Sequence, residues 1–390
     1  MHYIDSTDIV KTSTTLAKQR PIRILQVIGG INRGGIETWL IHVLRNIDRD
    51  CFQIDFLVNT TQPCAYDEEV RALGSKIIPC HDLSKPWLYA RNFKRILREY
   101  GPYDIVHSQL YLFDGFVLCL ADQEKVPVKI SHIHPLTDIK EKQFLRPIYQ
   151  WIMTRWIAKY ATHILCPSKS SLESFRKICN FSSKPTEILY NGVALDRFAK
   201  EVDRIAIRQK YAIPIDKPVV IYVARLTHHK NHFQMLRIAE QINKEGLQVY
   251  FVIVGSHGEL METLKDKIHE RNDISLITGI EDISDLLLAS DLFFFPSLEE
   301  GFGVVAIEAA AAGLPIVATN LPTIREACSP SHHDFMFTPN NDEVARANIV
   351  KILNDDDLRS QLSADSKQWA TNFSITNSID RLISLYNTCK

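Results

Sequence analysis

Short apolar runs separated by longer amphipathic segments leave this chain few architectures. In the first half the runs are Ile22–Ile28, Phe52–Val58, Ile105–His107, Val128–His132, Ile164–Cys166 and Glu187–Leu189. Most are rich in Val, Ile and Leu without strict alternation, as expected of strands buried on both faces. Helix patterns such as Glu37–Arg45 and Arg91–Glu99 lie between them. This order predicts parallel sheets joined by right-handed crossovers. A polar stretch, Asp196–Lys217, precedes a second series: Val219–Ala224, Val249–Gly255, Ile274–Thr278, Leu292–Pro296 and Pro315–Thr319. Near the end, Trp369, Phe373, Ile379, Leu382 and Leu385 mark an amphipathic helix. The predicted class is α/β, two Rossmann-like doubly wound domains with a boundary near residue 200. A length of 390 residues suffices for two cores.

Composition removes several alternatives. Lys and Arg number 45 against 46 Asp and Glu, a formal charge of −1, so nucleic acid is not an expected partner. A hydrophobic content of 45% excludes disorder for most of the chain. The eight cysteines form no C-x-x-C pair, which leaves zinc ribbons and thioredoxin-like motifs unsupported and points to a reducing compartment. Residues 1–20 read as a polar tail without the apolar core of a secretory signal. No stretch reaches the ~18 apolar residues of a spanning helix. The expected location is cytoplasmic, free or peripheral on the inner face of the cell membrane.

Ligands of open α/β sheets bind at the carboxyl ends of the strands, so the residues after each run matter most. The first run leads into Gly29-Gly30-Ile31-Asn32-Arg33-Gly34-Gly35-Ile36-Glu37. Glycines there would let backbone amides approach a phosphate at a helix N-terminus; a structural tight turn explains them equally well. After Val219–Ala224 come Arg225 and Lys230, five positions apart, able to reach one diphosphate as a fork and a point charge. A solvated basic turn is the alternative. The segment Asp291–Glu308 reads strand, Pro-Ser turn, acidic Gly-rich loop, then helix, with Glu300 in the loop and Glu308 in the helix. Carboxylates at that edge suit vicinal hydroxyls of a sugar or ribose. Asp48-Arg49-Asp50 and Asp355-Asp356-Asp357 fit the Asp-x-Asp metal pattern literally, but are read as turn and helix-cap acids. No metal and no cofactor are expected.

Taken in order, these motifs resemble the retaining glycosyltransferases of family four, whose GT-B architecture faces two Rossmann-like domains across a cleft. The matches are Gly34-Gly35-Ile36-Glu37, Tyr190-Asn191-Gly192-Val193, Arg225 with Lys230, Glu300-Gly301-Phe302-Gly303 with Glu308-Ala309 (a Glu-x7-Glu motif), and Gly313-Leu314-Pro315. The resemblance implies a nucleotide-sugar donor, with a UDP-sugar the favoured form. Arg225 and Lys230 would bind its diphosphate, Glu308 the ribose and Glu300 the transferred sugar. Phe302, Gly303 and Val304 would present backbone to the sugar and phosphates. Gly279 and Ile280 would contact the base, and Gly34 and Gly35 would approach the diphosphate from the other domain. His132 resembles the active-site histidine, able to bond a sugar hydroxyl or steady charge near the anomeric carbon, with His134 as its rival. His107 is read as wall. Ser329-Pro330-Ser331-His332-His333-Asp334 departs from the usual Asp-Gly-x-x-Gly turn, which puts the ribose-side wall in question.

The implied domains are a tail (1–20), an acceptor-side domain (21–200), a nucleotide-sugar domain (201–370) and a C-terminal helix returning to the first domain (371–390), with hinges near 196–217 and Trp369–Phe373. The implied enzyme is a retaining, metal-independent glycosyltransferase of hexosyltransferase type. It would act on a glycan or lipid-linked hydroxyl acceptor, in glycan or surface polysaccharide biosynthesis. A nucleotide-sugar epimerase or hydrolase on the same scaffold is the alternative, as is a non-catalytic nucleotide-sugar-binding subunit. Phe144–Tyr160 mixes basic and aromatic residues, which suits a membrane surface as partner or a packed helix with snorkelling cations. Replacing Arg225 or Lys230 by Ala is expected to abolish turnover and spare the fold.

Overall fold

The computed structural model describes residues 20–80, 85–134, 146–181 and 183–388. Of the expected tail it describes Arg20, which forks onto the Asp104 carboxylate at 2.6 and 2.9 Å; residues 1–19 lie outside the described residues.

Seven parallel strands form the first sheet: β1 (Ile22–Ile28), β2 (Phe52–Val58), β3 (Ile77–Pro79), β4 (Ile105–Ser108), β5 (Val128–His132), β6 (His163–Cys166) and β7 (Thr186–Ile188). Their order is β3-β2-β1-β4-β5-β6-β7. The second sheet holds β8 (Val219–Val223), β9 (Tyr250–Val254), β10 (Ile274–Ile277), β11 (Leu292–Phe295), β12 (Ile316–Thr319) and β13 (Met336–Phe337), in the order β10-β9-β8-β11-β12-β13. In each sheet the order reverses beside the first strand, between β1 and β4 and between β8 and β11. Those switch points are where a doubly wound sheet opens a crevice at its carboxyl edge. The loops that leave β1, β8 and β11 are the Gly-rich loop, the Arg225–Lys230 turn and the acidic loop of the sequence. Two strands escaped the sequence reading: β3 has three residues and ends in proline, and β13 has two. Both are edge strands, where proline is tolerated and no long apolar run is needed.

Side-chain alternation divides the first domain's core between the two faces of its sheet. Leu25 and Val27 join a cluster with Tyr89, Phe93, Val117, Leu118 and Ile157. Ile22, Ile24 and Ile28 join Trp39, Leu40 and Val43 of helix Gly35–Asn46. That second cluster also holds Ile379, Leu382, Leu385 and Tyr386 from helix Ile375–Thr388, so the end of the chain packs on the first sheet.

The two passages between domains touch each other. Val193 pairs in parallel with Ser374; Val193 N–H donates to Phe373 O and Ile375 N–H to Val193 O, both at 2.8 Å. The first passage therefore precedes the polar 196–217 stretch. Phe198 and Ile213 are buried in the second core, and Arg208 donates to Ala289 O and to Asp291, which fastens that stretch to the second domain. Gly192 is required at the passage: a Cβ there would stand 2.5 Å from Ile375 Cα and 2.7 Å from Ser374 O. Gly192→Ala is expected to cost about 2–3 kcal/mol of unfolding free energy, the scale of overpacking. Gly29→Ala, with nothing within 4 Å of its Cβ position, should stay within about 0.5 kcal/mol. Urea unfolding of both variants checks this.

Candidate active site

At the carboxyl edge of the second sheet, the loops after β8 and β11 are tied into one unit. Leu298 N–H donates to His229 O at 2.8 Å, and the Tyr222 hydroxyl donates to Lys230 O at 2.9 Å. Ser297 lies 3.0 Å from the Tyr222 oxygen and donates to Glu300 Oε1 at 3.1 Å. Lys230 Nζ then meets Glu300 Oε1 in a short ion pair, with both side chains about nine-tenths buried. Arg225, by contrast, is exposed. His232 accounts for the turn's shape, its Nε2 lying 2.8 Å from Arg225 O and its ring 5.0 Å from that of Tyr222.

The acidic loop enters its helix through Gly303, whose φ of 80° is left-handed and so favours glycine. A side chain there would also press on the Phe295 ring, 3.1 Å away. Helix Val304–Ala311 begins at this glycine, with no side chain capping its first amides. Phe302 turns inward, its ring 5.2 Å from that of Tyr190 and 5.6 Å from that of Phe373. Glu308 is largely buried in the helix, and desolvation pushes its carboxyl up to about 7, against the opposing pull of Arg197. Arg197 Nη1 lies 3.6 Å from Glu308 Oε1, and its Nη2 lies 2.6 Å from Asp282 Oδ1. Asp282 belongs to the loop after β10, where Gly279 takes a φ of 75° and Ile280 packs on the second core.

The first domain closes on this edge. A methyl group on Gly35 would stand 3.6 Å from Val304 Cγ2, so the Gly-rich loop faces the start of the acidic-loop helix. Gly34 caps helix Gly35–Asn46 and lies against the Glu37 carboxylate. Burial raises Glu37, opposed by its own backbone N–H and by Arg225 across the cleft. Arg33 pairs with Glu281, and Ser171 donates to Gly301 O at 3.1 Å.

Behind the cleft stand His107, His132 and His134. The His132 ring is 5.4 Å from that of His107 and 4.1 Å from that of His134, with Trp39 edge-on at 5.8 Å. Burial holds His107 and His134 down to about 3 and His132 well below its ordinary value. All three are neutral near pH 7. His107 Nδ1 lies 2.8 Å from the Tyr386 hydroxyl and 3.3 Å from Gln26 Nε2. Gln26 Nε2 donates to the Tyr386 oxygen at 2.9 Å, which joins the glutamine, the tyrosine and His107 in one buried network. Both ring nitrogens of His132 and Nε2 of His134 are buried with no hydrogen-bond partner among the described residues.

Thus the residues singled out in the second domain converge, and Gly35 meets them from the first. His132 and His134 both lie in the first domain's buried histidine group. The Asp-x-Asp pairs have other duties: Asp48 accepts from Asp50 N–H at 2.9 Å in a turn before β2, and Asp355 caps helix Asp356–Ala370. Among the described residues no group of three or more His, Cys, Asp and Glu could hold a metal. Sequence reasoning missed Arg197 and Ser297; nothing in either's immediate neighbours signals a cleft position.

One expectation needs correction. Lys230→Ala would not spare the fold, because it strands the buried Glu300 carboxylate. We expect a loss of about 3 kcal/mol, the scale of breaking a buried pair, read by chemical denaturation, whereas exposed Arg225→Ala should change stability by less than about 0.5 kcal/mol.

Comparison with known proteins agrees with this fold. Residues 33–197 match the Glycosyltransferase Family 4 domain and residues 203–369 the Glycosyl transferases group 1 domain. The chain is 31% identical over 305 residues to EpsF of Bacillus subtilis, named as a glycosyltransferase, covering 76% of this chain and 79% of that one. It is 23% identical to the UDP-Gal:alpha-D-GlcNAc-diphosphoundecaprenol alpha-1,3-galactosyltransferase of Escherichia coli, covering 97% and 98%. The fold of Anabaena HepE, solved with UDP and glucose, superposes with a TM-score of 0.80 at 17% identity, over 94% of this chain and all of that one. The chain belongs to the group 1, family 4 glycosyltransferases of GT-B fold, and it is a glycosyltransferase.

Proposed function

We propose that the protein moves a sugar from a UDP-sugar to a hydroxyl of a glycan or lipid-linked acceptor, with retention at the anomeric carbon and without a metal ion. The observation that carries this reading is the convergence of Arg225, the Lys230–Glu300 pair, the Gly303 helix start and Glu308 at one sheet edge, opposite Gly35. The relatives add the substrate class: the Escherichia coli enzyme is named for a UDP-sugar and a diphosphoundecaprenol-linked acceptor, and HepE is solved with UDP. Surface polysaccharide assembly follows from that acceptor type.

In this reaction Arg225 and Lys230 meet the leaving diphosphate, with the amides of Phe302, Gly303 and Val304 at the helix start. Gly34 and Gly35 approach the same diphosphate from the first domain. Glu308 accepts from the ribose hydroxyls, and Gly279 and Ile280 border the base. Glu300 accepts from the transferred sugar's hydroxyls, and its pairing with Lys230 brings sugar and phosphate recognition side by side. A neutral His132 or His134 offers a hydrogen bond to a sugar hydroxyl. Their depressed basicity makes a charged imidazolium role unfavourable. The leaving charge is balanced by fixed cations and dipoles, so a chelator should leave turnover unchanged. Arg225→Ala should cut kcat by about 10²-fold or more. NMR of the first-formed product should show retained anomeric configuration. Loss of activity with EDTA that magnesium restores, or an inverted product, would reject the corresponding part of the reading.

We also propose that helix Arg146–Tyr160 rests on a membrane surface. Ile148 and Trp151 are each 57% exposed and Trp87 is 73% exposed, while Arg155 lies over the Trp151 ring at 4.4 Å. Among the described residues no helix is long and apolar enough to cross a membrane. Interfacial aromatics beside cations suit an anionic lipid surface; Phe144 lies outside the described residues. Trp87→Ala with Trp151→Ala should reduce sedimentation with anionic vesicles several-fold and leave turnover of a water-soluble acceptor unchanged. Equal sedimentation of variant and parent would reject this surface.

A further inference from the structure

Arg197 stands where the chain has just passed from the first domain to the second, in the short turn Leu195–Phe198. It is nevertheless placed as part of the donor pocket. One guanidinium nitrogen reaches Asp282 in the loop after β10 and another faces Glu308 in the acidic-loop helix. The side chain is three-quarters buried, as is most of Glu308. We propose that Arg197 is a positioning residue for the nucleotide: it favours the ionised form of the Glu308 carboxylate and aims it at the ribose, with Asp282 as its anchor. The proposal rests on the donor reading for the ribose, but the Arg197–Glu308 coupling is a property of this chain alone.

The neighbourhood of Glu308 makes Arg197 its principal counter-charge. The other charged group that bears on it is Asp282, which opposes ionisation. Asp196 of the same turn acts on Arg197, and other nearby charges are engaged elsewhere: Lys200 with Asp285, Arg204 and Arg208 with Asp291, and Glu326 with the start of helix Lys169–Arg176. Lys367 of helix Asp356–Ala370 borders Gly313, beyond the far end of the Glu308 helix. On the first domain, Arg45 pairs with Glu69, and His42 is held below its ordinary value by burial, then by Arg45 and Arg197. Burial alone would leave Glu308 protonated at neutral pH, and a protonated acid is the weaker acceptor for ribose hydroxyls. A cation at 3.6 Å opposes that burial. Asp282, although partial desolvation opposes it, is held down to about 2 by Arg197 and by Ser284 N–H, so the anchor stays ionised throughout.

The test has two readouts. With ¹³C-labelled glutamate side chains and Glu308 assigned by its loss in Glu308→Gln, NMR titration of the protein alone reports the carboxyl midpoint. Arg197→Ala should raise that midpoint by about one pH unit or more, and Arg197→Lys should restore most of the shift. UDP-glucose, whose diphosphate does not titrate between pH 6 and 8.5, should bind Arg197→Ala at least about fivefold more weakly at pH 7, with the deficit shrinking as pH rises. In a Glu308→Gln background Arg197→Ala should change affinity by less than about twofold. An unmoved Glu308 midpoint would overturn the proposal. So would an affinity loss of equal size with Glu308 absent, because Arg197 would then act directly on the donor or only on the fold. If the parent protein does not bind UDP-glucose, the donor reading fails, and the carboxyl titration still decides the role of Arg197.

Discussion

The parallel contact of Val193 with Ser374 is the constraint on which the cleft depends. A chain with two passages between domains could place them apart and leave each domain free to rotate about either. Here they share backbone hydrogen bonds of 2.8 Å on both sides of Val193, and Gly192 lets the strands approach without a side chain between them. Tyr190, Phe302 and Phe373 pack around the same point. A second tie lies at Glu326, whose carboxylate accepts from Lys169 N–H at 2.8 Å, Ser170 N–H at 3.0 Å and the Tyr190 hydroxyl at 2.9 Å. An acid of the second domain thereby occupies a helix start of the first, where the exposed amides favour negative charge. Together these contacts bring the two carboxyl edges face to face.

Much of this was legible in the sequence. Runs such as Ile22–Ile28 and Phe52–Val58 coincide with β1 and β2 because strands buried on both faces leave a continuous apolar signature. The positions of Arg225, Lys230, Glu300 and Glu308 followed from their places after strands. What could not be read was partnership across distance. Lys230 and Glu300 are seventy positions apart, and nothing local says that the lysine is buried against an acid and not poised in solvent. Arg197 reaches its partners only because the chain turns there into the second domain. The Ser329–Asp334 departure illustrates the converse. It forms a short 3-10 helix, Pro330–Phe335, whose His332 is buried with Nε2 3.2 Å from Ser366 Oγ. The altered turn therefore makes a packing contact with helix Asp356–Ala370.

Near the cleft, the two domains handle charge differently. In the second domain, buried or largely buried ions are paired: Lys230 with Glu300, Arg208 with Asp291, Arg197 with Glu308. Pairing offsets part of the desolvation that an isolated buried ion would suffer, and the pairs at the cleft end have carboxylates suited to hydroxyl recognition. In the first domain Arg23 likewise pairs with buried Asp55, but at the carboxyl edge of the sheet burial suppresses charge. Asp114 accepts from Ser108, Ser131 and Leu110 N–H, yet burial pushes its carboxyl up to about 7, and the three histidines behind the Gly-rich loop stay neutral. An anionic donor would thus be met by a charged wall on one side and, behind the Gly-rich loop, by neutral hydrogen-bonding groups on the other.

That asymmetry bears on the chemistry. Leaving a buried polar atom unsatisfied costs about 1–3 kcal/mol, so the bare nitrogens of His132 and His134 have stability to recover from any hydroxyl that reaches them. Because their basicity is suppressed by burial, what they recover is a hydrogen bond and not a proton. His107 is already committed through Nδ1 to Tyr386, a residue of the terminal helix that the second passage returns to the first domain. The terminal helix thus fixes one ring of the histidine group, while the first passage brings Arg197 to Glu308. Each connection between the domains carries a side chain that sets the state of a cleft residue or of its neighbour. In the proposed reaction, the covalent path between domains and the electrostatics of donor recognition are therefore joined in the same few residues.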